Sequence, residues 1–168
     1  MKAVQISGIK EVTLVEQPVP EISSDDEVIV KVKAIGICGT DVHTYLDEHP
    51  FVKAPVVVGH EASGEVVSCG KSVTKVKPGD WVAIDPVLGC GDCRPCNSGR
   101  ANACASVKCR GVHVEGAMQE QFKIRECDVH KLPDNVKDLI HGAVVEPFAI
   151  GAQACWRGQV RSGDIMVI

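Results

Sequence analysis

No stretch of this sequence is apolar for long enough to span a bilayer or to act as a secretory leader. Met1 to Lys10, MKAVQISGIK, mixes charged and apolar residues, and no later run approaches the roughly 20 apolar residues a span requires. The chain is therefore expected in the cytoplasm. Positive charge is also in short supply: 18 Lys and Arg stand against 22 Asp and Glu, for a net charge of -4, and no dense basic block occurs. A nucleic acid or an anionic membrane surface would need a cationic face, so neither is an expected partner. Internal repeats and low-complexity tracts are missing as well, which leaves an ordinary globular chain. At 168 residues and 45% hydrophobic content it can bury one core with a short appendage.

What the sequence does have is cysteine in an unusual arrangement. Cys90, Cys93, Cys96 and Cys104 lie in GCGDCRPCNSGRANAC, with two residues between each of the first three and seven before the fourth. The segment has almost no apolar residues, so burial cannot order it, and a bonded centre must replace that driving force. The spacing suits a tetrahedral thiolate zinc site; four sulfurs fill every position, which makes such a zinc structural rather than catalytic. Paired disulfides or buried free thiols are the other readings of clustered cysteines. A reducing cytosol disfavours the disulfides.

Strands come first along the chain and helix late. Glu27 to Ala34 alternates Val28, Val30, Val32 and Ala34 with Lys31 and Lys33 on the other face, the pattern of a half-buried strand. Val12–Glu16, Gly64–Ser68, Asp80–Ile84 and Ala117–Ile124 are further expected strands, and Lys77-Pro78-Gly79-Asp80 is an expected turn. The expectation is a mainly β, barrel-like body. From about Asp134 the texture becomes helical, with Pro147 tolerable only near a helix start. Ile165 to Ile168 then has the β-branched character of a buried parallel strand, after which a doubly wound nucleotide fold would place its glycine turn.

A second constellation is more dispersed. Cys38-Gly39-Thr40-Asp41-Val42-His43 follows one strand and Gly59-His60-Glu61 follows the apolar run Pro55 to Val58. Cys38, His60 and one carboxylate could supply the three ligands of a catalytic zinc with an open fourth position. An inert buried thiol and a hydrogen-bonded core histidine are the alternatives on spacing alone. Cys69, Cys109, Cys127 and Cys155 lack ligand spacing and read as free thiols. His49 and His130 read as surface residues. Tyr45, Leu46 and Phe51 could line a substrate mouth or pack a loop.

These motifs together, in this order, resemble the zinc-dependent medium-chain alcohol and polyol dehydrogenase family over the whole chain. The resemblance implies a GroES-like zinc-binding catalytic domain over 1–142, then, over 143–168, a connecting helix and the first strand of a truncated Rossmann domain. It implies that Cys38, His60 and Glu146 bind catalytic zinc, with Glu61 able to approach it and Asp41 accepting a hydrogen bond from His60. Thr40 and His43 would pass on the proton that a substrate hydroxyl loses before hydride leaves. The implied cofactors are one catalytic and one structural zinc with NAD or NADP. The implied partner is a small alcohol: a polyol or sugar acid, or alternatively a threonine-type substrate, in a homodimer or homotetramer. A non-catalytic, zinc-stabilised binding module is the rival class.

Overall fold

The computed structural model describes residues 1–167. The chain runs β1 (Lys2–Gly8), β2 (Glu11–Glu16), β3 (Glu27–Ile35), α1 (Gly39–Tyr45), β4 (Val56–Val57), β5 (Ala62–Cys69) and β6 (Trp81–Ile84). It continues with β7 (Val87–Leu88), α2 (Arg94–Asn97), β8 (Lys108–Cys109), β9 (Gln121–Arg125), β10 (Val129–Lys131), α3 (Ile140–Ala143) and α4 (Val145–Arg157). Among the described residues no helix is long and apolar enough to cross a membrane.

The central sheet has the order β10-β6-β5-β3-β9, all neighbours antiparallel. Strand β3, between β5 and β9, explains the arrangement: Val30 sits opposite Val66 of β5 on one side and Phe122 of β9 on the other. Val28, Val30, Val66, Val82, Phe122 and Ile124 are sealed from water in one core. Burying a valine or phenylalanine side chain in this way contributes on the order of 1.5–3 kcal/mol. Lys31 and Lys33 face solvent, so the alternation in the sequence carries directly into the two faces of the strand. A second sheet, β2-β1-β4, and the short β7-β8 pair complete the body.

Several expected elements appear with altered bounds. Lys77–Asp80 is a turn closed by the Asp80 amide on the Lys77 carbonyl at 3.0 Å. Gly79 sits there at φ 90°, as the third corner after Pro78 requires. The expected strand over 117–124 divides in two. Ala117 and Met118 donate instead to the Gly59 and Val58 carbonyls, and only 121–125 joins β3. Pro147 lies in the first turn of α4, where its missing N–H leaves no helical bond unmade.

The expected strand at the end of the chain differs more. Residues 165–167 form no strand, and Ile165 and Val167 are each 94% exposed; Ile168 lies outside the described residues. A parallel strand gains its burial from sheet neighbours and covering helices, and none packs on this segment among the described residues. Phe148 and Trp156 of α4 are likewise exposed.

Candidate metal centres

Cys38 stands at the junction between β3 and α1, and Asp41 fixes it there. One Asp41 carboxylate oxygen accepts the Cys38 backbone N–H at 2.9 Å, in the manner of a helix-capping carboxylate. The other accepts the Gly59 N–H at 3.2 Å. Asp41 is buried, so its charge is balanced by these two donors, and the two chain segments that carry Cys38 and His60 are tied to one group. This corrects the expectation that Asp41 would accept a hydrogen bond from His60. The backbone donors occupy it, and His60 Nδ1 is buried without a hydrogen-bond partner.

The structure brings Cys38 Sγ, a His60 ring nitrogen and a Glu61 carboxylate oxygen within 4.8 Å of one another. Glu61 follows His60 at the entry to β5, and its carbonyl accepts the Gly36 N–H at 2.7 Å, anchoring it against the end of β3. Thiolate, imidazole and carboxylate are the donor types zinc prefers. The His60 ring is buried and its Nδ1 makes no hydrogen bond among the described residues, so no protein partner holds the imidazole away from a metal. The residues therefore fit a zinc.

Glu146, from the first turn of α4, is not within that 4.8 Å group. It is close enough to share the field: burial pushes its carboxyl above the usual range, His60 opposes that rise, and Glu61 and Asp85 add to it. Two further residues lie near the cluster that the sequence reading did not place there. Asp85 leaves the end of β6, and Cys109 ends β8. Burial raises the Cys109 thiol to about 11, with Glu146, Asp85 and Cys38 contributing. A carboxylate just past a strand end was the available cue for Asp85; Cys109 had none.

Thr40 is half-buried, with its Oγ1 3.6 Å from Cys38 Sγ. His43, one turn further along α1, is exposed, and its Nδ1 lies 3.1 Å from Glu48. His49 is half-buried rather than a plain surface residue. Its Nδ1 accepts the Phe51 and Val52 amides, both at 3.2 Å. Phe51 itself is 76% exposed, and His130 faces solvent as expected.

The second cluster gathers Cys90, Cys93, Cys96 and Cys104, with all four sulfurs within 4.8 Å. All nine cysteines are free thiols. Cys93 and Cys96 sulfurs are 3.4 Å apart and Cys90 and Cys96 sulfurs 3.9 Å. Both are far beyond a disulfide bond of about 2.05 Å. They approach the spacing of about 3.8 Å that four sulfurs take around zinc at about 2.3 Å. Cys104 is the buried member; the Cys90 amide, and then the Ser106 amide, hold its thiol down to about 7. Cys90 is the opposite, pushed up to about 12 because its thiol donates to Asp92 at 2.7 Å. Such a donor set must lose protons to bind metal, and one member is already close to doing so at neutral pH.

A family model described as the alcohol dehydrogenase GroES-like domain matches residues 24–134. The chain is 36% identical to L-galactonate-5-dehydrogenase of Escherichia coli K12 over 159 residues, covering 95% of this chain and 46% of that protein. It is 37% identical to sorbitol dehydrogenase of Bacillus subtilis 168 over 172 residues, covering all of this chain and 48% of the relative. Among solved structures it resembles a short chain alcohol dehydrogenase (rspB) of E. coli CFT073, complexed with NADH. That match has a TM-score of 0.86 and 36% identity, over 95% of this chain and 46% of the other. The chain thus spans about half the length of the curated relatives it matches.

Proposed function

The chain belongs to the alcohol dehydrogenase GroES-like domain family, and on that premise we propose that it is the metal-binding half of a zinc- and NAD(P)-dependent oxidoreductase. The reaction is oxidation of a secondary alcohol in a polyol or sugar acid to the ketone. The observation that carries this reading is the convergence of Cys38 Sγ, a His60 ring nitrogen and a Glu61 carboxylate oxygen within 4.8 Å of one another. The polyol and sugar-acid chemistry is supported by relatives named for sorbitol and L-galactonate.

Cys38 and His60 would hold the catalytic zinc, with a carboxylate from Glu61 or Glu146. Zinc bound there supplies a Lewis acid that makes an adjacent hydroxyl ionise near neutral pH. A nicotinamide cofactor, when bound, would supply the acceptor for the hydride. Thr40, beside Cys38, is placed to take up the substrate's hydroxyl proton. His43, exposed on the same helix with Glu48 3.1 Å from its ring, would release it to solvent. Asp41 holds the backbones of Cys38 and Gly59 in register. Cys90, Cys93, Cys96 and Cys104 would hold a second, structural zinc.

Metal analysis tests this reading. The wild-type chain is expected to retain two zinc equivalents after dialysis, and Cys38→Ser is expected to retain one with an unchanged far-ultraviolet circular dichroism spectrum. A Cys38→Ser chain that still holds two equivalents would overturn the assignment of the catalytic site.

A further inference from the structure

A cleft of ≈ 450 Å³, whose lining includes no residue of either cysteine site, opens between the segment after β2, the loop after β8 and strand β9. That volume lies in the range of small-molecule sites. Its walls include Pro18, Pro20, Val114 and Phe122, so much of the lining is apolar.

Arg110 is the unusual member of the lining. Its guanidinium lies 5.4 Å from the centre of the Phe122 ring, stacked in cation–π fashion. Nη2 donates to the Lys123 carbonyl at 3.2 Å. Nε is buried and has no partner. Nη1 also has no protein partner, but it is not sealed from water as Nε is. No carboxylate forms an ion pair with Arg110 among the described residues. Asp128, the acidic group that acts on it most, is held through both oxygens by Arg125 at 2.8 and 3.1 Å. Burial accordingly lowers the Arg110 pKa.

A largely buried cation without a counter-ion is costly, and proteins ordinarily pair one. The charges lining the cleft sharpen the point. Lys123 is partly answered by Glu27 at 3.4 Å. The Met1 ammonium donates to the Gln17 carbonyl at 2.7 Å and lies 3.5 Å from Glu16. Glu115 is the one lining carboxylate, and it is exposed and accepts from Gln17 Nε2 at 3.1 Å. What the cleft lacks is an anion facing Arg110. With Nε sealed and Nη2 engaged by the Lys123 carbonyl, Nη1 and the second N–H of Nη2 form the end of the guanidinium left for an anion, an end-on planar pair that a carboxylate can accept.

We propose that this cleft binds a small organic carboxylate, with Arg110 pairing the carboxylate and Pro18, Pro20 and Val114 covering an apolar body. The lining shares no residue with the metal cluster, and the proposal does not depend on the reading of that cluster.

Benzoate, its neutral counterpart benzamide and inorganic phosphate are titrated into the zinc-loaded chain, with binding read by calorimetry and amide chemical shifts. Benzoate is expected to saturate with a Kd on the order of 1 mM and to shift the amides of 110–115. Benzamide and phosphate are expected to bind at least ~10-fold more weakly, since neither offers the planar charged fork. Arg110→Met should weaken benzoate by at least ~10-fold, and Glu115→Gln, which removes the lining carboxylate, should tighten it by about threefold. Equal binding by Arg110→Met, by benzamide or by phosphate overturns the proposal, as does the absence of saturation. Should Arg110→Met fail to fold, Glu115→Gln decides, and unchanged benzoate affinity in that variant overturns it.

Discussion

Gly36 packs so tightly against Glu61 that a Cβ built on it would meet Glu61 Oε2 at 2.1 Å and Glu61 Cβ at 3.0 Å. The absence of a side chain at 36 is therefore what lets the Glu61 carboxylate turn toward Cys38 and His60. Gly36→Ala should displace that carboxylate while the Gly36 N–H still reaches the Glu61 carbonyl. Zinc at the Cys38–His60 cluster should then bind about 10-fold more weakly, and zinc at the four cysteines should be unaffected. Competition with a graded series of chelators would separate the two sites; equal loss from both would show that the variant acts on the fold instead.

Asp41 answers two backbone donors from separate segments of the chain, Cys38 and Gly59, the second of them eighteen residues beyond Asp41 itself. Asp41→Asn retains one carbonyl acceptor and sets an amide N–H₂ against the other donor. The mismatch should cost about 1–3 kcal/mol. It should also loosen the geometry between Cys38 and His60, so the thermal midpoint and zinc retention at that cluster should fall together. Asp41→Asn with full stability would mean that solvent, not Asp41, satisfies one of these N–H groups.

The parts of this structure that were legible beforehand are those decided locally. The spacing of Cys90, Cys93, Cys96 and Cys104 confines four sulfurs to one loop, so their meeting needs no distant partner. Val28, Val30 and Val32 alternate within one strand, and Pro78-Gly79 shapes its own turn. What was not legible depends on chain segments meeting. Asp41 was expected to serve His60, yet the approach of Gly59 to Cys38 offers it backbone donors instead. Asp85 and Cys109 reach the neighbourhood of Glu146 only through the fold of β6 to β8. The apolar run from Ile165 has strand composition, but its state depends on packing partners that composition does not specify.

The loop from Gly89 to Cys104 contains two short helical turns and little regular pairing, and Arg94 and Arg100 within it are exposed. Removing one sulfur leaves three ligands and opens the site. Cys93→Ser should drop the zinc content from two equivalents to one, and trypsin should then cut after Arg100 at least ~10-fold faster. The β3–β5–β9 core lies outside the loop, so the circular dichroism of the sheet should persist. Unchanged tryptic protection would show that the loop is ordered by something other than metal.

Asp80 and Lys131 supply a pH-dependent tie between the Lys77–Asp80 turn and β10. Lys131 Nζ is 2.8 Å from Asp80 Oδ1, and the Lys77 amide donates to Oδ2 at 2.9 Å. The hydrogen bond from Lys131, followed by those backbone and charge contributions, lowers the Asp80 pKa. A carboxyl whose folded pKa lies below its unfolded value contributes stability that is full above the unfolded value, near 3.9, and is lost as pH falls through the folded value. Asp80→Asn should therefore be less stable than wild type at pH 7 by about 0.5–1 kcal/mol, since Lys131 is partly exposed and the pair is screened. The difference should shrink below about pH 4 and vanish once Asp80 is protonated in both states. Urea midpoints measured from pH 7 down to the acid limit would show two curves converging; parallel curves would mean that the tie contributes no pH dependence.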